Sequence, residues 1–496
     1  MIRKIPVQVL NVLKKLQENK FEAFVVGGCV RDLLLDKMPK DWDITTNAKP
    51  MEVIGIFPDS FYENNFGTVG VKVEKFITDN FLKDDREHDV VEVTTYRIES
   101  TYSDRRRPDE IAFAKSLSDD LGRRDFTMNA IALSPIFDSN GSAVDFEIVD
   151  LFDGQNDIEK KIIKTVGSAD ERFSEDALRM IRAIRFHAQL GFQIESDTFE
   201  AIKKNVAFVG HVALERVKDE LVKIILSDNP AEGIDMMQQT GLLEYIIPEL
   251  EKGIDVAQNR HHIHTVYEHL TLALKYCPSK KLEVRLAALF HDIAKPQTKR
   301  GEGTYATFYN HDHAGAKIVR KILTRLRFSN EVIERVVMLV DNHMFYYNPE
   351  EVSEASVRRL IKKVGLENMQ DLMDLRVADR LGSGTPKAKP YKLRHLEYII
   401  EKVSKDAVSV KMLKVNGNDL MNELSIAPGP KIGAILEVLL AEVIESSEKN
   451  KYEYLLMRAE QLKNEDLKKL REMAKEKIEE KKEDDDKEIR EKHWVK

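Results

Sequence analysis

The N-terminal part of the chain reads FVVGGCVRDLLLDKMPKDWD at residues 24–43. An apolar run that favours a β-strand leads into Gly27 and Gly28, and a short helix is predicted from about Val30. Adjacent glycines let the backbone approach a ligand closely, and the N–H groups at the start of a helix can hold phosphate. Arg31 lies in the first helical turn, where its guanidinium is placed to reach the same phosphate.

Two aspartates, Asp41 and Asp43, follow in an extended stretch of the same sequence. Residues two apart on a strand point to the same face, so the two carboxylates are expected to be neighbours. Neighbouring carboxylates repel each other unless a cation lies between them, and hard oxygen ligands suit Mg²⁺ that carries substrate phosphates. A lone GG is usually a turn and a lone D-x-D is usually a solvated strand face. The joint pattern is much rarer and predicts a site for Mg²⁺ and phosphate.

The rest of the chain changes character near residue 157. Before it, β-rich runs alternate with turns, namely FEAFVVGG, TVGVKV, DVVEVTTYRI and EIAFA. After it, long amphipathic segments favour helices. One of them, SEDALRMIRAIRFHAQLG, predicts a single helix that begins at Ser174 and ends at Gly191. The fold class is therefore α+β, with a mixed-sheet head and an all-α body.

Composition shifts divide the chain further. The predicted domains are a head at 1–156, a helical neck at 157–255, a histidine-rich block at 256–384, a helical C-terminal block at 385–465 and a charged tail at 466–496. The tail is nearly all charged, which predicts a solvated helix that frays into a partly disordered end.

Composition also excludes several classes of protein. The net charge of −8 excludes binding of nucleic acid through global positive charge, although it leaves room for a local basic groove. No uncharged apolar stretch reaches ~18 residues, so the sequence predicts no membrane span. The N-terminus lacks the apolar core and cleavage site of a signal peptide. Two cysteines, Cys29 and Cys277, indicate a reducing compartment. We therefore expect a cytoplasmic protein.

Several motifs together narrow the range of families to which the chain could belong. They are GGCVRD, DWDITTNA, RRDFTMNAIA and SEDALRMIRAIRF. With them the chain resembles the bacterial class of tRNA nucleotidyltransferases, the CCA-adding enzymes. The resemblance covers roughly residues 10–250 and continues more weakly through 413–436. It implies a polymerase-β-like nucleotidyltransferase head in which Asp41 and Asp43 bind Mg²⁺ and a third carboxylate, for which Glu92 is the candidate, completes the site. An ordinary exposed strand glutamate is an equally good interpretation of Glu92.

The implied activity is template-independent addition of C and A, from CTP and ATP, to the 3′ end of tRNA. Asp176 and Arg179 are three apart on the predicted helix, so their side chains are expected to be neighbours. Asp accepts a hydrogen bond from an exocyclic amino group and Arg donates to a ring nitrogen, which matches cytosine and adenine but not uracil or guanine. By resemblance, Arg182 and Arg185 extend this site and Arg124 reaches the nucleotide. Without the head motifs, the same segment would be interpreted as an amphipathic core helix with its arginines on the solvent-exposed face.

Close relatives of this family remain as alternatives. Bacterial poly(A) polymerases share the head and neck, but they usually carry a basic strand that is absent here. Split enzymes add only CC or only A. SDRRRPDE at 103–110 occupies the place of the flexible segment that CC-adding enzymes lack, so addition of A is expected, and an A-only enzyme is an alternative. KFITDNFLKDDREHD at 75–89 lengthens the usual hairpin.

The histidine-rich block suggests a second site. Its candidate metal ligands are His269, His291, Asp292, His311, His343 and Asp379. Their order, H…HD…H…H…D, resembles the HD phosphohydrolase superfamily. The resemblance implies a divalent transition metal that activates water for attack on a phosphoester. Lys295 is placed to hold substrate phosphate, His313 competes with His311 as a ligand, and His261, His262 and His264 are expected to be bystanders.

Two other functions stay open at this stage. In the first, the histidine block is the main activity and the protein is a metal-dependent phosphohydrolase that acts on nucleotides or RNA ends. In the second, the protein binds RNA but catalyses no reaction. For the histidine block itself, the alternative is that its histidines are incidental or belong to a domain that has lost its catalytic activity. The intact head motifs argue against both of these functions. The oligomeric state is not predicted.

Overall fold

The computed structural model describes residues 4–62, 67–76, 88–99, 111–259, 263–405, 410 and 413–495. The chain forms two compact units, Met1–Val340 and Asp341–Lys496. The first unit contains a mixed sheet followed by helices, and the described part of the second unit is helical. The predicted α+β class is therefore confirmed. In the described part of the chain, no helix combines the length and the apolar composition needed to cross a bilayer.

The head begins with a helix and then alternates strands and short helices. Its helices are α1 Val7–Glu18, α2 Gly28–Leu34, α3 Pro50–Ile56, α4 Leu117–Gly122 and α5 Gly154–Glu159. Its strands are β1 Ala23–Val26, β2 Trp42–Thr46, β3 Ser60–Tyr62, β4 Thr68–Val73, β5 Asp89–Thr95, β6 Arg97–Glu99, β7 Ile111–Phe113, β8 Ile131–Phe137 and β9 Ala143–Asp150. Each of the four predicted β-rich runs contains at least one of these strands.

A seven-stranded sheet forms the centre of the head, with the strand order β3-β4-β5-β2-β1-β8-β9. Strands β2 and β5 are parallel, and the other neighbouring pairs are antiparallel. Val25, Ile44 and Val93 are fully buried in it. Because side chains alternate between the two faces of a strand, the buried residues on β2 leave Asp43 on the opposite face.

Helices then build the rest of the first unit, with two short strands between them. These elements are β10 Ile162–Ile163, α6 Ala169–Glu175, α7 Leu178–Leu190, β11 Gln193–Ile194, α8 Ser196–Asn205, α9 Leu214–Ile225, α10 Pro230–Gln239, α11 Leu242–Ile246, α12 Pro248–Glu251, α13 Val266–Lys275, α14 Leu282–Phe290, α15 Lys295–Thr298, α16 His311–Arg325 and α17 Asn330–Asn342, which runs past the unit boundary.

One predicted helix is divided in the structure. The segment expected to form a single helix from Ser174 is split between α6 and α7, because Asp176 has an extended backbone with φ −140° and ψ 103°. Ser174 is therefore not an N-cap; its hydroxyl donates to the Glu171 carbonyl oxygen. The predicted end of the helix is confirmed, since Gly191 caps α7 with a left-handed backbone.

The second unit contains seven further helices among its described residues. They are α18 Glu354–Val364, α19 Met369–Gly382, α20 Tyr391–Lys405, α21 Gly417–Leu424, α22 Pro430–Glu445, α23 Tyr452–Leu462 and α24 Leu467–Lys492. The charged tail differs from its prediction. It forms the long helix α24, and its last part packs against α20, where Ile489 is 2% exposed. Apolar residues spaced among many charges are enough to dock the helix, although its composition is that of a solvated segment.

Candidate active site and histidine cluster

The turn after β1 brings the backbone close to charged side chains. β1 ends at Val26, Gly27 has a φ of +79°, and α2 begins at Gly28. A Cβ atom at Gly27 would lie 3.1 Å from Arg124 Nη1 and 3.5 Å from Asp43 Oδ2. The left-handed backbone and the close approach both favour glycine at this position. The turn, the guanidinium and the carboxylate therefore share one small region of the head.

The predicted acidic ligands lie on or beside neighbouring strands. Asp43 on β2 pairs in register with Glu92 on β5, and adjacent strands are about 4.8 Å apart. Asp43 is half-buried, Glu92 is exposed, and Asp41 is exposed directly before β2. The structure thus places Asp43 and Glu92 side by side on one face of the sheet, next to the glycine turn. Their role as metal ligands stays a prediction.

A buried carboxylate, Asp120 on α4, fixes the arginine that faces the turn. Its Oδ2 accepts hydrogen bonds from Arg124 Nη2 at 3.1 Å and from Thr45 Oγ1 at 3.2 Å. Its Oδ1 accepts from Arg123 Nη2 at 2.7 Å. Burial opposes ionisation, but the Arg124 and Arg123 guanidiniums together hold the pKa of Asp120 below its ordinary value. Asp120 therefore stays charged and holds Arg124 in place beside the strand that carries Asp43.

A chain of hydrogen bonds connects α2 with α7. Arg31 donates from Nη2 to Asp32 Oδ1 at 2.7 Å and from Nη1 to Asn129 Oδ1 at 2.8 Å. Asn129 donates to Asp125 Oδ1 at 3.1 Å, and Arg182 donates from Nε to Asp125 Oδ2 at 2.8 Å. Burial opposes the ionisation of Asp125, but Arg182 outweighs it and the pKa of Asp125 is lowered. Two predicted nucleotide-binding arginines are thus linked through one buried carboxylate.

Asp176 and Arg179 each have a partner other than the one that their spacing predicts, and the contact between their two side chains stays a prediction. Asp176 lies in the break between α6 and α7, where its Oδ2 accepts from Arg216 Nη2 of α9 at 2.7 Å. Arg179 Nη1 donates instead to Glu175 Oε2 at 2.5 Å. Three-residue spacing makes side chains neighbours only inside a continuous helix, and the backbone at Asp176 is not helical. Both residues still lie at the start of α7.

Arg185 forms an ion pair that is almost completely buried. Its side chain is 9% exposed, and its Nη1 lies 3.0 Å from Glu220 Oε2 of α9, itself 5% exposed. Burial, followed by the nearby Arg182 cation, lowers the pKa of Arg185 to about 10. The structure therefore places Arg185 in a buried ion pair with α9, and its role at the nucleotide site stays a prediction.

Three of the predicted histidine ligands in the first unit converge on a fourth predicted ligand, the carboxylate of Asp292. Asp292 Oδ2 lies 3.1 Å from His269 Nε2 and 3.4 Å from His291 Nε2, and Oδ1 lies 3.0 Å from His311 Nε2. His269 Nε2 and His291 Nε2 are 2.9 Å apart. All four residues are at least nine-tenths buried. We call these four residues the histidine cluster.

Backbone carbonyls orient two of the imidazoles. His291 Nδ1 lies 2.9 Å from the Ala288 oxygen, and His311 Nδ1 lies 2.6 Å from the Phe308 oxygen. An imidazole that donates from Nδ1 to a carbonyl keeps its lone pair on Nε2, which is the usual arrangement of a metal-binding histidine. Nitrogen lone pairs that converge beside a carboxylate form a donor set suited to a divalent transition metal.

A buried lysine completes the surroundings of the cluster. Lys295 Nζ lies 2.5 Å from Asp292 Oδ2 and donates to Gln258 Oε1 at 2.6 Å. Although burial opposes ionisation, Lys295 and His291 hold the pKa of Asp292 well below its ordinary value. The predicted lysine is therefore beside the ligands.

The remaining histidine-block predictions have mixed outcomes. His311 belongs to the cluster, whereas its competitor His313 is exposed. His343 is 2% exposed directly after α17 and Asp379 accepts a hydrogen bond from Arg376, but both lie in the second unit, and their ligand role stays a prediction. His264 is half-buried and its Nδ1 is 3.9 Å from Glu268 Oε2.

Some predictions fall outside the described residues. These are the segment SDRRRPDE at 103–110, the two histidines His261 and His262, and most of the lengthened hairpin at 75–89.

Five residues that the sequence reasoning did not single out organise these sites, namely Asp120, Asp125, Asn129, Arg216 and Gln258. The spacing of Asp120 from Arg123 and Arg124, three and four residues, offered a local signal, because such spacings suit ion pairs on a helix. Asp125 and Arg216 pair with residues 57 and 40 positions away, for which the sequence carries no local signal.

Comparisons with known proteins agree with this architecture. Residues 23–164 match the family described as "Poly A polymerase head domain", residues 191–254 match the "Probable RNA and SrmB- binding site of polymerase A", and residues 299–459 match "tRNA nucleotidyltransferase domain 2 putative". The three matches follow one another in the order of the head, the neck and the helical body.

Individual relatives extend the likeness to nearly the whole chain. A CCA-adding enzyme of Ligilactobacillus salivarius is 32% identical over 471 residues, which are 92% of this chain and 96% of that protein. One from Geobacillus thermodenitrificans is 43% identical over 247 residues, or 50% of this chain and 56% of that protein. The crystal structure of the Bacillus stearothermophilus CCA-adding enzyme in complex with CTP aligns with a TM-score of 0.59 at 26% identity, covering 91% of this chain and 97% of that one.

Proposed function

We propose that this chain, which belongs to the family of CCA-adding enzymes, adds C and A from CTP and ATP to the 3′ end of tRNA. One observation carries the proposal: Asp43 and Glu92 lie in register on adjacent strands, beside the Gly27 turn and the Arg124 guanidinium. In this proposal the head (1–156) binds the triphosphate, the neck (157–255) selects the base, and the helices beyond it bind tRNA through its shape and backbone.

The acidic residues of the head fit a divalent cation. Like charges directly opposite each other on neighbouring strands are destabilising, and a cation between them removes that cost. Asp41, Asp43 and Glu92 would hold Mg²⁺. When bound, Mg²⁺ neutralises charge on the triphosphate and on the oxygens that enter and leave during nucleotidyl transfer. Arg124 and Arg31 bind phosphate oxygens, which positions the triphosphate against the glycine turn.

Selection of the base is assigned to Asp176 and Arg179. A carboxylate has several acceptor positions, so Asp176 can accept a hydrogen bond from the amino group of C or A while Arg216 holds its other side. Arg179, steadied by Glu175, donates to the ring nitrogen. Uracil and guanine present the opposite hydrogen-bonding polarity and leave these groups unpaired. The kcat/KM for U or G should therefore be lower than that for C or A by a factor of about 10⁴ or more.

The test is nucleotide addition with purified full-length protein. A tRNA that lacks its 3′ CCA, and a tRNA that lacks only the terminal A, are each incubated with Mg²⁺ and each labelled NTP separately and in pairs. Addition of C, and of A only after C, is the expected result. A long tail of A would instead show a poly(A) polymerase, and addition of A only to tRNA that already ends in CC would show an A-adding enzyme. The absence of any addition would contradict the proposal.

A matched pair of variants tests the carboxylates. Asp43→Asn should abolish addition, because the amide cannot replace a charged metal ligand. Asp145→Asn on β9, an exposed strand aspartate in the same sheet, should retain the activity of the unchanged protein. Equal activity of the two variants would remove the assignment of Asp43.

The histidine cluster favours a second candidate function, a metal-dependent phosphohydrolase acting on nucleotides or RNA ends. The observation that favours it is the convergence of three Nε2 atoms on Asp292, with His291 and His311 oriented by carbonyls. A transition metal bound there would supply an activated water. Lys295 would then bind the substrate phosphate.

Two measurements test this second candidate. Calorimetric titration of the full chain with Mn²⁺, Co²⁺ or Ni²⁺ should show a binding event that disappears in His291→Ala. Phosphate release from nucleotides should disappear in the same variant and persist in Asp43→Asn. Metal binding without phosphate release would support the metal site but reject the phosphohydrolase activity. If the protein shows neither metal binding nor phosphate release, both the site and the activity are rejected.

A further inference from the structure

An aromatic ring on α7 is surrounded by arginines from two parts of the first unit. Phe186 is 4% exposed. The guanidinium carbons of Arg31, Arg182 and Arg185 lie 5.1, 5.6 and 4.1 Å from its ring centroid. Arg31 belongs to α2, directly after the glycine turn, whereas the other two belong to α7. The face of an aromatic ring attracts cations, and the attraction is strongest where water is excluded.

Each of these arginines also has a carboxylate partner. Arg31 pairs with Asp32, Arg182 with Asp125 and Arg185 with Glu220. A guanidinium held by a carboxylate on one side and by an aromatic ring on another has few remaining rotamers. Ordering it before a ligand arrives lowers the entropy lost on binding.

The ring itself is held from behind by another aromatic residue. Phe126 packs against Phe186 edge-on, with the ring centroids 5.7 Å apart and the planes at 86°. Phe126 follows Asp125, the carboxylate that binds Arg182, so the ring and its cations belong to one rigid group. In the described part of the chain, the buried Nε of Arg185 has no hydrogen-bond acceptor, and its guanidinium is the one nearest the ring.

We infer that Phe186 is a positioning residue for the nucleotide site, which aligns Arg31 on the phosphate side with Arg182 on the base side. The inference rests on the proposed nucleotidyltransferase function. Phe186 touches no reacting atom and acts through the arginines. Arg185, buried behind the ring, serves as a support for this arrangement rather than as a contact to the nucleotide.

The experiment compares two Phe→Leu variants of the full-length protein. Phe186→Leu removes the ring that contacts the arginines, whereas Phe192→Leu removes a ring of the same size, 2% exposed, that follows α7. Steady-state addition is measured with CTP on tRNA lacking CCA, and with ATP on tRNA lacking only the terminal A. Phe186→Leu should raise KM for both nucleotides about tenfold, with little change in KM for tRNA. Both variants should lower the melting temperature, but Phe192→Leu should leave both nucleotide KM values unchanged.

A double variant adds a second measurement. If the ring acts through Arg31, combining Phe186→Leu with Arg31→Lys should raise nucleotide KM by less than the product of the two separate effects. Should Phe186→Leu fail to fold, Phe186→Met conserves more of the volume and takes its place.

Several results would overturn the inference. An unchanged nucleotide KM in Phe186→Leu, an equal rise of KM in Phe192→Leu, or fully multiplicative effects in the double variant would each show that Phe186 only packs. If the unchanged protein adds no nucleotide, the proposed function fails by itself. The ring is then tested by calorimetric binding of ATP, where Phe186→Leu should show the same tenfold loss and equal affinity would reject its role.

Discussion

An Asp120→Asn substitution would remove the charge that holds two arginines near the glycine turn. Asp120 is fully buried, and the side chains of Arg123 and Arg124 are 13% and 18% exposed. Asparagine has the same shape and keeps one acceptor oxygen, but it removes the negative charge that both guanidiniums share. Since asparagine retains part of the hydrogen bonding, we expect the free energy of unfolding of the head to fall by about 3 kcal/mol, at the low end of the cost of breaking a buried ion pair.

The same substitution should weaken nucleotide binding. Arg124 Nη1 lies 3.1 Å from the Cβ position of Gly27, where the triphosphate is proposed to bind. Once Asp120 no longer fixes it, Arg124 loses its orientation, and KM for CTP and ATP should rise about tenfold.

The effect on stability should depend on pH in a defined direction. The folded pKa of Asp120 is below the ordinary value of 3.8. A group with a depressed folded pKa stabilises the protein above its unfolded pKa, and this contribution is lost as the pH falls through the folded value. The difference between the unchanged protein and Asp120→Asn should therefore be complete at pH 7 and shrink below about pH 4.

Urea unfolding followed by tryptophan fluorescence measures this difference. The chain has two tryptophans: Trp42 on β2 is 2% exposed, whereas Trp494 is 79% exposed. In a Trp494→Phe background the signal comes from Trp42 and reports on the head. Asp119→Asn, which changes an exposed carboxylate on the same helix, is the matched control and should cost less than about 0.5 kcal/mol. Equal unfolding midpoints for Asp119→Asn and Asp120→Asn, or an unchanged nucleotide KM, would refute the reasoning.

Three further predictions concern other parts of the structure. Gly27→Ala should raise nucleotide KM severalfold, because its Cβ would crowd an arginine 3.1 Å away, whereas Gly167→Ala, with a φ of +67° and open space around it, should lower only stability, by about 1 kcal/mol. Arg216→Met should release Asp176 and raise misincorporation of U about tenfold in the addition assay, and unchanged selectivity would contradict this. Ile489→Asp should undock the end of α24 and destabilise the second unit by about 3 kcal/mol, measured by the rate of limited proteolysis.

The strands and turn of the head were predictable because their signals are local. Apolar runs ended at glycines, and the β1–α2 turn was found where the sequence placed it. Glu92 was a candidate from its strand position, although nothing in the sequence gave its register. The pairing with Asp43 follows from the order of the strands in the sheet, in which β2 and β5 are neighbours despite two strands and a helix between them in sequence.

In the histidine cluster, too, some features were predictable from the sequence and others depend on the fold. The types of residue and their order suggested a metal site, and His269, His291, Asp292 and His311 do meet. Which nitrogen of His291 and of His311 faces Asp292 depends on backbone carbonyls near the ends of helices, and therefore on the fold. The sequence could not distinguish His311 from His313 for the same reason.

Residue types and their local spacing therefore sufficed to identify the family, the α+β class and most of the charged groups near the proposed sites. They did not identify the partner of each charge. Asp176 and Arg179 share a segment, yet Asp176 pairs with Arg216, 40 residues further along the chain. An ion pair forms between groups that packing brings together, and the packing of α9 against α7 depends on buried apolar residues along both helices. The local three-residue spacing carries no information about that contact.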